Sequence, residues 1–460
     1  MGDVNDLEFP WDEPVDRRAL LGKAAAAGGA LAAGGLLAGR ATATPAKASV
    51  EDLLFYSSQF SLVAEQEAAR RHLLSGFASD VELAVPGSGG DAAFHNRVLA
   101  EKQSGQGRGR IDLLGALHGA YAALQPENVL TDLSDVAKDF RTGKSAIPAS
   151  FMTLGRLGTR QQLYMPWMQA TYVIVANKSV LKYLPARVNP NKLTYGNFAQ
   201  WAKNIAEKEG RPRLGFPASS NGLIHRFFQG YLVPSFTGRN LTKFKSNEAV
   251  AGWLYMRNLW RFVHPQSQAY SFMNDPLLSG EILLAWEHVA RLKTALEGRP
   301  DDFAVFPAPR GPKGRAFMPV LAGLAIPRSS PHPGDAKLLI RHLLSLPVQA
   351  RTLSALGFFP VIAGRLSKSI SPGLRNEANA VKLMQTATDA LPSLLPIGLG
   401  AEGGNFNNIY RDTFNAIVLK GEDPKKVVAE QGARIQEILT KTGAPCWAPD
   451  PRGSGPCRVG

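Results

Sequence analysis

The chain has 460 residues, 45% of them apolar and 20% charged, with a formal charge of +14. Such a composition is globular, with apolar content enough for two or three lobes, and excludes a largely disordered chain. The basic residues are scattered with no run of five, which argues against nucleic acid and for a solvated basic surface, an acidic ligand or an anionic membrane face.

Residues 1–43 read as an export leader. Arg17-Arg18 is followed by Leu20-Leu21 and by an Ala/Gly/Leu run from Ala24 to Ala38. That run has 15 residues, short of the about 20 strongly apolar ones a spanning helix needs. Ala41-Thr42-Ala43 offers small residues at signal-peptidase spacing, and Ala46-Lys47-Ala48 is a second candidate. The stretch resembles a twin-arginine signal peptide, which implies a periplasmic location. One departure is that the segment before Arg17 is acidic, without Lys or Arg. Without the leader's four basic and six acidic residues the chain carries +16.

Beyond the leader, strand-like and helix-like segments alternate, which argues for α/β layers and a parallel sheet. Residues 52–61 open with a short apolar strand. Residues 63–78 have helix spacing, with Ala64, Ala68, His72 and Leu73 along one side. Residues 81–90 are a strand and a Gly/Ser turn too short for a nucleotide loop; 92–105 are helical; 111–124 are a strand feeding a helix. Tyr172 to Ala176 has the pattern of a fully buried strand. Thr194 would cap a helix over 193–210 whose buried side is Phe198, Trp201, Ala202 and Ile205. Over 248–263 Trp253, Met256 and Trp260 recur at helical spacing, as core residues do.

From residue 279 the order of segments becomes specific. A Ser279-Gly280-Glu281 turn enters an apolar strand ending at Trp286. Then come Phe306-Pro307-Ala308-Pro309 and a Gly/Pro loop, the strand "VLAGLAIP", a helix of the type "DAKLLIRHLLSLPVQARTL", and Gly357-Phe358-Phe359-Pro360-Val361. This order resembles the extracellular solute-binding proteins of bacterial ABC importers, carbohydrate-binding family 1. Upstream, "YMPWMQATYVIVANKSVLKYLP" is similar to that family's hinge-crossing strand, and "LTYGNFAQWAKNIAEK" to the helix after it, with Tyr195 in place of the usual Trp. "FNAIVLKGEDPKKVVAEQGARIQEIL" is similar to its closing helical pair. The resemblance covers residues 50 to 440.

The resemblance implies a two-lobed α/β periplasmic-binding-protein fold with a hinge and an interlobe cleft. Lobe 1 would take residues 50–167 and 320–375, and lobe 2 residues 172–319 and 376–440. The crossings would lie near Gln169-Ala170-Thr171 and Met318-Pro319-Val320. It also implies a monomer that needs no cofactor, captures a sugar or oligosaccharide, and hands it to transmembrane permease subunits.

A sugar site needs flat aromatics and planar polar groups, and about 100 Å² of apolar contact on one ring is worth roughly 2.5 kcal/mol. Trp286, at a strand end, and Trp167, beside the expected hinge, are the candidate platforms. Ser219, Ser220 and Asn221 are expected at a helix start, where backbone N–H groups are free. Tyr231, Gly323 and Phe358 match cleft-facing stretches of the family. Asn405, Asn407 and Tyr410 precede a further helix. Glu287 would accept sugar hydroxyls. Glu287 and His288 are not expected to be an acid–base pair, because neighbours on a strand point to opposite sides. No nucleophile-elbow or metalloprotease motif accompanies them. An anionic ligand of uronate or glycerol-phosphate type is the alternative suggested by the charge, and an exported polysaccharide-active enzyme is the other. Cys446 and Cys457 bracket a Pro/Gly-rich loop in the tail, 441–460, that a disulfide would tie down in an oxidising compartment.

Overall fold

The structure is a computed structural model that describes residues 51–460, apart from residues 61, 88–89, 144 and 363–369. The leader and part of the Gly87–Gly90 turn lie outside the described residues. Strands β1 (Leu53–Ser57), β2 (Val81–Ala84), β3 (Leu113–Leu117), β4 (Met165–Ala170), β10 (Val320–Ala325) and β11 (Phe359–Pro360) form one sheet in the order β11-β4-β10-β3-β1-β2. Strands β5 (Tyr172–Asn177), β6 (Leu214–Gly215), β7 (Leu284–His288) and β8 (Phe303–Phe306) form a second in the order β6-β7-β5-β8. β9 (Arg315–Phe317) and β12 (Ala390–Pro392) pair separately.

The expected parallel sheet is found only in part. β1 runs parallel to β2 and β3, because helical crossovers separate them in sequence. β10 is antiparallel to β3 and β4, and β5 is antiparallel to β7 and β8. The reason is connectivity. β4 passes into β5 through the single residue Thr171, and β9 into β10 through Met318-Pro319, so these strands reach their sheets without a helical crossover.

Tyr231 ties the two passages together. Its hydroxyl oxygen accepts the Tyr172 N–H at 2.9 Å and lies 2.9 Å from Thr171 Oγ1, which itself donates to the Met318 carbonyl at 3.0 Å. One buried chain of hydrogen bonds thus spans both crossing segments.

Several helices follow from sequence directly. Thr194 Oγ1 accepts the Asn197 N–H at 3.0 Å, the helix Tyr195–Glu209 buries Phe198, Trp201, Ala202 and Ile205, and Gly210 ends it at φ 69°. Ser246 caps Asn247–Trp260, which buries Trp253 and Met256 and leaves Trp260 half-buried against Phe414. Two expectations change. The segment after β10 is two helices, Pro333–Leu343 and Leu346–Leu356, broken at Ser345 with Pro347 in the first turn of the second. The helix at Val63–Ala68 buries Glu65, not Ala64, and its buried line continues through Ala69 and Leu73. The shift has a partner: Glu65 makes a short ion pair with Arg291.

The helix Pro372–Gln385 carries Glu377, fully buried, with neither carboxylate oxygen meeting a donor among the described residues. Burial, reinforced by the Glu297 carboxylate, pushes its carboxyl well above the ordinary range. The folded state then keeps a proton that the unfolded state releases. Stability is full below the unfolded pKa of about 4.3 and is lost as pH rises toward the folded value, at about 1.4 kcal/mol per pH unit. Glu377→Met is therefore expected to change little at pH 4 and to stabilise at pH 8. Urea midpoints at the two pH values check it, and a variant whose profile runs parallel to the parent's counts against it.

Candidate functional site

Between the two sheet-centred lobes the structure leaves a cavity of about 50 Å³. On one side lie His95 from the helix Gly90–Lys102, Leu117 at the end of β3, and Gly119, Ala120 and Ala123 of the helix His118–Leu124. Facing them are Arg226 from Ile224–Phe227, Leu395, Pro396 and Leu399, and Gly403 and Asn407 from Gly403–Phe414. The walls touch: a Cβ on Gly119 would lie 2.2 Å from the Pro396 carbonyl oxygen. The cavity is well below the about 300–1,000 Å³ of small-molecule sites.

The polar groups of the second wall are linked. Arg226 Nη1 donates to Gln229 Oε1 at 3.0 Å, and Gln229 Nε2 donates to Asn407 Oδ1 at 3.0 Å. Gln229 is fully buried, and its carbonyl accepts from Ser393 Oγ at 3.0 Å. Behind them Arg411 donates to the Ser219 carbonyl at 3.0 Å, to the Gly222 carbonyl, and to His225 Nδ1 at 2.9 Å. Burial, then the charges of Arg226 and Arg411, hold His225 well below the usual imidazole range. It is neutral, which lets Nδ1 accept. On the first wall, burial pushes His118 down to about 4, and its Nδ1 lies 2.9 Å from the Tyr164 hydroxyl. His95 is lowered by burial too, and its Nδ1 has no partner among the described residues.

Most residues expected to grip a ligand lie elsewhere. Trp286 is fully buried, stacked on Tyr172 with centroids 4.4 Å apart and planes 3° from parallel, and edged by Phe227 and Tyr231. Trp167 is fully buried between Phe55 and Phe60. The two indoles sit in separate hydrophobic clusters, so the shared aromatic platform is corrected: each ring is enclosed in an interior of its own. Tyr231 spends its hydroxyl on the crossing segments. Tyr410 is buried and donates to Asn240 Oδ1 at 2.9 Å. Gly323 is packed against a neighbouring ring: a Cβ there would lie 2.1 Å from Tyr164. Phe358 is buried with its ring 5.8 Å from that of His288.

Ser219, Ser220 and Asn221 are not at a helix start, because the helix begins at Ile224. They form a turn closed by the Gly222 N–H on the Ser219 carbonyl at 3.0 Å. The Ser219 hydroxyl pairs with Ser271 at 2.8 Å, while Ser220 and Asn221 are exposed. Glu287 is fully buried and accepts the backbone N–H groups of Met273 at 2.8 Å and His288 at 2.6 Å. Burial pushes it up to about 7 and pushes His288 down to about 3. The adjacent pair is therefore a buried backbone clamp beside a neutral ring.

Asn407 reaches the cavity, although inside its helix and not before it. Arg226 and His95 also line the cavity, with Gln229 and Arg411 behind Arg226, and the sequence expectations include none of these four. A signal for two of them exists: Arg226 and Gln229 stand three apart in "HRFFQGY", a helical neighbour spacing.

A family model described as bacterial extracellular solute-binding protein matches residues 81–350. Among solved structures, maltose-bound MalE3 of T. maritima is similar with a TM-score of 0.66 at 18% identity, over 84% of this chain and 100% of that one. The GacH receptor of Streptomyces glaucescens GLA.O gives 0.64 at 19%, over 84% and 98%. UgpB of Mycobacterium tuberculosis in complex with glycerophosphocholine gives 0.62 at 18%, over 85% and 99%. At such identities the likeness is one of fold. Curated protein sequences gave no match.

Proposed function

The chain belongs to the bacterial extracellular solute-binding proteins and has their two-lobed α/β fold, and from that premise we propose that it is the exported capture subunit of an ABC importer. It takes a small polyhydroxylated solute between lobes made of residues 50–167 with 320–375 and 172–319 with 376–440. The solute is released to the membrane permease, and the leader directs export by the twin-arginine route. The observation that carries this reading is that Arg226 and Asn407, linked through the buried Gln229, line the cavity opposite the helix His118–Leu124. Planar amide and guanidinium groups, held in place before a ligand arrives, suit a rim of hydroxyls. Similar folds carry maltose in MalE3 and glycerophosphocholine in UgpB.

The test is a thermal-shift and calorimetric screen of the chain without its leader, against neutral sugars, uronates and glycerol phosphates. A true solute at 100 times its Kd adds about 2.7 kcal/mol of stability. Asn407→Leu is expected to abolish that gain while the ligand-free melting temperature stays within a few degrees. A panel in which nothing stabilises the protein, or a ligand whose effect survives Asn407→Leu intact, overturns the proposal.

A further inference from the structure

We propose that the C-terminal strap, residues 444–460, is the backing of the cavity wall, with Trp447 and the Cys446–Cys457 disulfide as positioning residues that set solute affinity. The inference rests on the cavity being the solute site, and adds what holds one of its walls in place.

That wall needs holding. Leu395, Pro396, Leu399 and Gly400 line the cavity, yet residues 393–399 belong to no helix or strand. A stretch without a hydrogen-bond ladder of its own keeps its place through its neighbours. Asn407, which lines the same wall, follows Phe406 on the helix Gly403–Phe414.

The strap supplies neighbours to both parts. The Ala448 carbonyl accepts the Leu394 N–H at 2.8 Å. Gly398 lies against Ala444 and Pro445, so that a Cβ there would come within 3.4 Å of the first and 3.3 Å of the second. Trp447 is buried and meets Phe406 edge-on, with ring centroids 5.6 Å apart. Leu395, Leu399, Phe406, Trp447 and both cysteines share one hydrophobic cluster.

The strap is itself moored on both sides of Trp447. The Cys457 N–H donates to the Ala444 carbonyl at 2.9 Å, and the Cys457 carbonyl accepts Gln436 Nε2 at 3.1 Å. The Val459 N–H donates to Gln436 Oε1 at 2.9 Å, and Gln436 stands on the helix Pro424–Thr442. The disulfide passes that mooring to Cys446, next to Trp447. On the other side the Asp450 carboxylate fixes the strap to Asn240, Leu241 and Thr242. A disulfide stabilises mainly by constraining the unfolded chain; these contacts give this one a second role in the folded state. A wall ordered before the solute arrives leaves less for binding to order. A wall in place only part of the time lowers affinity by that fraction.

The leaderless parent is compared with Cys446→Ser/Cys457→Ser, Trp447→Leu and Trp447→Phe. Amide exchange is followed without solute, and calorimetry uses sn-glycerol 3-phosphate, galacturonate, galactose and maltose, all below the onset of unfolding. In the serine pair, amides of 394–407 are expected to exchange faster while the six-stranded sheet stays parent-like. The Kd of whichever probe the parent binds is expected to rise roughly tenfold. Trp447→Leu, with the disulfide intact, is expected to raise it too, and Trp447→Phe to keep most of the affinity. If the serine pair does not fold, the two Trp447 variants decide by the same readouts. A strap that only stabilised the fold would lower the unfolding midpoint and leave Kd unchanged; that result overturns this proposal alone, as does parent-like exchange at 394–407. Binding of none of the four probes by the parent overturns the solute-binding reading and this proposal with it.

Discussion

Trp286→Ala is expected to lower the unfolding free energy by roughly 3–5 kcal/mol, the range for deleting a large buried aromatic. The ring stacks on Tyr172 at 4.4 Å and meets Phe227 at 5.2 Å and Tyr231 at 5.4 Å. Tyr172 belongs to β5, and the Tyr231 hydroxyl is pinned at the crossing segments. Neither ring is free to collapse into the space the indole leaves, so the cavity penalty adds in full to the lost transfer energy. Trp286→Phe is expected to cost clearly less than Trp286→Ala, because it leaves the smaller cavity. It keeps an aromatic face and gives up an indole N–H that has no partner among the described residues. Urea unfolding followed by circular dichroism separates the roles. A Trp286→Ala protein with an unchanged midpoint that has lost solute affinity would return Trp286 to the binding site.

Asp450→Ala is expected to loosen the C-terminal strap and to lower stability by roughly 3 kcal/mol. The Asp450 carboxylate is buried and accepts the N–H groups of Asn240, Leu241 and Thr242 at 2.9, 2.8 and 2.9 Å, and the Thr242 hydroxyl. Alanine leaves three backbone donors with no acceptor, each at roughly 1–3 kcal/mol before water re-enters. The Cys446–Cys457 disulfide, with Cα atoms 4.6 Å apart, and the Gly460 carbonyl, which accepts the Lys245 N–H at 2.6 Å, keep the tail tethered. Loss is therefore expected to be local, with faster amide exchange at 240–245 and 444–460 and parent-like protection in the first sheet. Asp450→Asn, which retains acceptor oxygen, is expected to lose less. Parent-like exchange at 240–242 in the alanine variant would refute the clamp.

Local pattern carried much of the fold. The helix after Thr194 was legible because a capping hydroxyl, a helical stripe and a terminal glycine all describe the same fifteen residues. Turns and single packing partners were less legible. Nothing near Glu65 announces Arg291, 226 positions away, and without it the stripe through Ala64 looks the more apolar.

Periodicity and composition over short stretches are enough to read the layered α/β class, the order of segments that marks the family, and the opposite directions of Glu287 and His288. Which aromatic faces are buried in a core follows from the long-range packing alone. A strand states that Trp286 and His288 share a side, yet whether that side is cleft or core depends on what lands on it: Tyr172, Phe227 and Tyr231, each more than fifty residues away. The same holds for the cleft wall, where Gln229 meets Asn407 across 178 positions. Contacts of that separation leave no periodic trace in the chain, since they arise from how two sheets are joined and not from the spacing within either.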